Sequence, residues 1–98
     1  MKKSELLAQK LGNFVKFIAT LEIDNKEEIL KIFASQLNDQ ALFIFSVNDR
    51  LVPYFISNKL DDAYELFIKH NKINTDKITP EQKEKIIKYI SCFCELSM

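Results

Sequence analysis

Glycine and proline are almost missing from this chain: Gly12 is the one glycine, and Pro53 and Pro80 are the two prolines. Folds with many tight turns need residues that accept positive φ or are preset for a turn, so β-sandwiches are excluded. Phosphate-cradling P-loops and dinucleotide fingerprints, which need several glycines at fixed spacing, go with them. Arginine occurs once, as Arg50, among fourteen basic residues. Lysine lacks the planar fork that reads guanine edges and grips phosphates bidentately, so nucleic-acid recognition is short of its best instrument. Histidine also occurs once, as His70, which excludes histidine-based metal clusters. Cys92 and Cys94 form a CxC. Two apart on a helix, their side chains point about 200° from each other and neither pair nor share an ion. They read as small core or flanking residues in a reducing compartment.

No sign of charge dominates, because fourteen acidic residues balance the fourteen basic ones. A global field therefore steers the chain neither to nucleic acid nor to an anionic membrane. Long hydrophobic runs are missing too: the apolar stretches 41–47 and 51–56 are split by Asn48-Asp49-Arg50. Both fall far short of the roughly 20 residues needed to span a bilayer. Met1-Lys2-Lys3 has the charge of a leader's start, but Glu5, Gln9 and Lys10 keep any long apolar run from forming after it. The expectation is a cytoplasmic protein with no membrane partner.

What is present is helix-forming pattern in a single domain, residues 1–98. A chain of this mass has a folded surface of roughly 5,800 Å² against about 16,700 Å² unfolded, enough burial for a real core. Leu7, Leu11, Phe14, Ile18 and Leu21 recur at spacings of four and three, which predicts an amphipathic helix from Ser4 to about Glu22. Gly12 inside it costs roughly 1 kcal/mol against alanine, either for close packing or simply tolerated. Asp24 and Glu27 have capping-box spacing for a second helix carrying Ile29, Leu30, Phe33 and Leu37. Ser57 or Asn58 can cap a helix from about Lys59 to Asn71. Thr79-Pro80-Glu81-Gln82 is the clearest local signal: an N-cap, proline at the first helical position, and glutamine closing the box of a helix reaching about Glu95.

The middle is ambiguous, because Ala41 to Phe45 and Leu51 to Ile56 are apolar under either period. A helix running to about Arg50 before Pro53 redirects the chain is favoured; the alternative is a β-hairpin turning at Asn48-Asp49. The fold expected is therefore all-α, a compact four- to five-helix bundle, with the alternative an α+β fold whose central hairpin, residues 41–56, lies between two helical pairs.

Catalytic groups are sparse. His70 sits near a helix C-terminus, where it complements the dipole, and a Cys–His dyad with Cys92 or Cys94 requires a tertiary contact. Asp61, Asp62 and Glu65 read as acids collected at a helix start, not as a metal site. No catalytic residue, metal or cofactor is expected. Between Lys69 and Lys88 six lysines face three acids, the one region with a distinct sign, though lysine alternating with glutamate usually marks a solvated face. Apolar supply is what stands out: eight phenylalanines, twelve isoleucines and eleven leucines exceed what one small core needs. Exposed apolar residues mark binding or self-association, so Phe43, Phe45, Tyr54 and Phe55 are the interface candidates. The expected function is non-enzymatic protein–protein interaction of the single-domain inhibitor or accessory type. Its partner would be another protein or a second copy of the chain. The alternative is a nucleic-acid-associated regulator using the lysine-rich face of residues 69–88.

Overall fold

In the computed structural model, which describes residues 2–98, six helices follow one another and no strand occurs among the described residues. They are α1 (Lys3–Ala19), α2 (Lys26–Asn38), α3 (Gln40–Arg50), α4 (Val52–Ile56), α5 (Leu60–Asn71) and α6 (Pro80–Ser97). Met1, where the leader reading begins, lies outside the described residues. The all-α expectation holds, and the hairpin over residues 41–56 is not formed; those residues make most of α3 and all of α4. No helix among the described residues is long and apolar enough to cross a membrane.

Pro53 explains why the middle segment is two helices. In a continuous helix its ring would meet the carbonyl of Asp49 and leave it without a donor. The chain breaks after Arg50 instead, and proline falls in the first turn of α4, where a missing N–H costs nothing. Leu51 N–H still donates to the Val47 carbonyl at 2.8 Å, so the break is a kinked junction and not an open loop. The short α4 is what takes the count of helices among the described residues from five to six.

α6 is the central element, packing against α1, α3, α4 and α5, while α2 packs on α1 and α3. The α1 stripe lies inward as its spacing predicts: Leu7, Leu11, Phe14, Ile18 and Leu21 are all buried. Phe14 is the hub of the core. Its ring meets Phe33 of α2 at 5.2 Å, Phe67 of α5 at 5.8 Å, and Tyr89 and Phe93 of α6 at 5.1 and 5.5 Å. The contacts with Phe33, Phe67 and Phe93 are edge-to-face, the geometry that the ring quadrupole favours. Nothing lies within 4 Å of where a Cβ on Gly12 would stand, so that glycine serves no close helix approach.

Two caps differ from the sequence reading. Asp24 does not cap α2. Asn25 holds the N-cap position without a side-chain cap bond, and the Asp24 carboxylate accepts from Asn74 Nδ2 at 3.0 Å and pairs with Lys77 at 3.7 Å. Asn25 Nδ2 in turn donates to the Lys72 carbonyl at 2.7 Å. The two connectors, 20–25 and 72–79, thus fasten to each other, and donors from a distant loop replace the local box. Neither Ser57 nor Asn58 caps α5, because both belong to the end of α4. Ser57 is its C-cap, and Asn58 takes φ 57°, a left-handed conformation that asparagine tolerates, as Lys59 N–H closes back onto the Tyr54 carbonyl at 2.8 Å. The Thr79 box forms as read: Gln82 N–H donates to Thr79 Oγ1 at 3.2 Å, and Thr79 N–H donates to Gln82 Oε1 at 3.0 Å.

Candidate functional site

The apolar middle segment divides between core and surface. Phe43, Val47, Leu51 and Val52 are buried, spaced so that one face of α3 and the start of α4 press on the bundle. Phe43 is only 3% exposed, and its ring stands edge-on to Phe93 at 5.2 Å. It belongs to the core and leaves the set of accessible interface candidates. Phe55 is half-buried and packs against the core cluster. Phe45 is different. Two residues beyond Phe43, it is turned about 200° around α3 and stands 70% exposed. Tyr54, at 36%, is also open to solvent. Sequence reasoning missed Ile56, which is 70% exposed at the end of α4. The missed signal is its place next to Ser57-Asn58, where the turn that ends α4 keeps the last side chain out of the bundle.

A second feature, not anticipated from the sequence, lies on the other side of α3. There a narrow cleft opens between α2, α3 and α5. Phe33, Phe43, Val47 and Phe67 form its buried floor; Gln36, Ser46 and Asn71 stand in its wall; Arg50 and His70, both exposed, flank its mouth. The chain's one arginine and one histidine are therefore brought together from the C-terminal turns of α3 and α5. His70 has its pKa lowered below 6.5, first by loss of water around the ring and then by the Arg50 charge. Asn71 is 8% exposed and donates through Nδ2 to the Phe67 carbonyl at 2.9 Å. Gln36 Oε1 is buried with no hydrogen-bond partner. Neither cysteine lines this cleft. Cys94 is buried in the core, its thiol pushed up to about 11 by burial and then by Glu95, and Cys92 lines a groove between α1 and α6.

In the lysine-rich segment, residues 69–88, Lys69, Lys72 and Lys88 are exposed, and three other lysines lie against groups of the fold. Lys77 pairs with Asp24, Lys83 lies over the Tyr64 ring at 5.1 Å, and Lys85 lies over the Phe17 ring at 4.9 Å. Lys85 and Lys88 do join Lys10 along the α1–α6 groove. Among the described residues no three histidine, cysteine, aspartate or glutamate side chains converge as a metal site, and Asp61, Asp62 and Glu65 are all exposed. Compared with known proteins, the chain matches no family model, and no curated protein or solved structure shows significant similarity to it.

Proposed function

We propose that this chain is a non-enzymatic protein-binding factor whose contact surface is carried by α3 and α4, with Phe45, Tyr54 and Ile56 as its anchors. The observation that carries this reading is the pair of large apolar side chains, Phe45 and Ile56, each 70% exposed on adjacent helices of a well-packed bundle. Buried from water, side chains of this kind contribute roughly 1.5–3 kcal/mol each, enough for two or three of them to anchor a contact. Asn48 and Asp49, one helical turn beyond Phe45, are exposed and supply the polar rim that such contacts have.

The test compares the wild type with Phe45→Glu and Ile56→Glu, alone and together, after circular dichroism has shown the helices intact. Light scattering reads self-association, and affinity capture from the source cell followed by mass spectrometry reads a distinct partner. The double variant is expected to lose whichever association the wild type shows. Association equal to wild type in the folded double variant overturns the assignment. The lysine-face alternative makes a separate demand: lysine contacts to a nucleic-acid backbone weaken steeply with salt, so nucleic-acid binding that survives about 0.5 M salt would contradict it.

A further inference from the structure

The geometry points to a carboxylate-binding site at the mouth of the cleft between α2, α3 and α5, in which Arg50 and His70 take the carboxylate oxygens and Gln36 donates from the wall. The site is independent of the α3–α4 contact surface, because Phe45 lies on the opposite side of α3 from the cleft-lining Phe43 and Val47.

Three observations converge on it. Arg50 makes no ion pair among the described residues, although the chain has fourteen acidic residues to offer. The carbonyl ends of α3 and α5 draw one cation each to this region. They do not account for a cationic arginine and a histidine facing one cleft whose lining, among the described residues, contains no carboxylate. Among the described residues Arg50 and His70 are its only charged or titratable lining groups, so the Arg50 charge meets no anion in the cleft, and the neutral His70 ring has an N–H to donate beside it. Finally, Gln36 has a buried carboxamide oxygen without a partner. An orphaned buried polar atom costs roughly 1–3 kcal/mol, and rotating the carboxamide by 180° offers its NH₂ to an incoming oxygen instead.

The cleft also limits the ligand. Its cavity volume is about 20 Å³, room for one group of water or methyl size above the apolar floor. The chemistry that fits is a carboxylate seated at the mouth, with at most one methyl-sized group entering the cleft. Such a group comes either from a short free acid or from an acidic side chain on another polypeptide, and the guanidinium fork meets both in the same bidentate way.

The experiment is an NMR titration of the full chain, following the His70 ring, the Arg50 Nε–H and the backbone amides of Gln36, Ser46 and Asn71. The probes are sodium propionate and N-acetyl-aspartate N-methylamide, with sodium chloride at matched ionic strength as control. Saturable shifts confined to these residues, with an upward move of the His70 pKa, are expected for at least one probe. Propionate binding more tightly assigns a free acid as the source, and the aspartyl probe binding more tightly assigns a side chain. Arg50→Ala, checked for wild-type circular dichroism, is expected to weaken binding about tenfold to a hundredfold, the worth of a charge-assisted hydrogen bond. Arg50→Lys is expected to fall between the two. No saturable shift with either probe overturns the site and leaves Arg50 and His70 as helix-end cations only. Shifts matched by chloride, or unchanged in Arg50→Ala, overturn it equally.

Discussion

Gly12 and Cys94 show how differently two small residues sit in the same bundle. Gly12 lies in the second half of α1 with open space where a Cβ would project, so its cost to the helix is not returned by any contact. Gly12→Ala is therefore expected to stabilise the protein by about 0.5–1 kcal/mol, raising the melting temperature by roughly 2–8 °C in a domain of this size. A thermal melt checks it, and an unchanged or lower midpoint would show that α1 is packed more tightly there than its geometry indicates. Cys94 is fully enclosed, and burial holds its thiol neutral up to about pH 11 where an exposed thiol ionises near 9.0. Folding thus favours the neutral form. The stability this contributes is whole below about pH 9 and is lost as pH rises toward 11. At neutral pH iodoacetamide is expected to label no more than one thiol in the native protein, that of Cys92, and both in denaturant. Two thiols labelled at equal native rates would contradict the burial.

Helix ends show best where the sequence could be read and where it could not. Thr79 was legible because every partner in its cap is local: threonine, proline and glutamine sit within four residues, and no distant group is needed. Thr79→Ala is expected to cost about 1 kcal/mol by freeing the Gln82 N–H, with Thr79→Ser close to neutral; denaturant midpoints measure both. Asp24 has the same spacing but a different fate. Asn74 and Lys77, some fifty residues further along the chain, reach its carboxylate once the two connectors meet. Local spacing carries no information about such donors. Asn58 misleads for another reason: asparagine is favoured both before a helix and in the left-handed turn after one, and the choice depends on the Lys59 to Tyr54 closure that ends α4. The α3–α4 junction was half legible, since proline announces a break without saying whether helix resumes.

At the scale of the whole molecule, the question is why apolar residues remain outside. The radius of gyration is 12.6 Å, the value expected of a single compact domain of this length. Its surface is 6156 Å², close to the roughly 5,800 Å² that mass alone implies. Phe45 and Ile56 are therefore not exposed because the bundle is loose; one core is already filled by Phe14, Phe33, Phe67 and Phe93. The sequence showed the excess of apolar residues but not its division, since residues 41–56 are apolar on every side and only packing against α6 selects which face turns in. For the same reason the Arg50–His70 cleft was invisible: their twenty-residue separation is closed only when α3 and α5 converge on it. Division of the middle segment into a buried face and a free face is the claim on which the functional reading stands. Thermal melts of Phe43→Glu and Phe45→Glu side by side test it most directly. Phe43→Glu, which places an unpaired carboxylate in the core, is expected to leave no cooperative transition, while Phe45→Glu is expected to melt within a few degrees of wild type. A Phe45→Glu variant that fails to fold, or a Phe43→Glu variant that melts like wild type, would contradict the account.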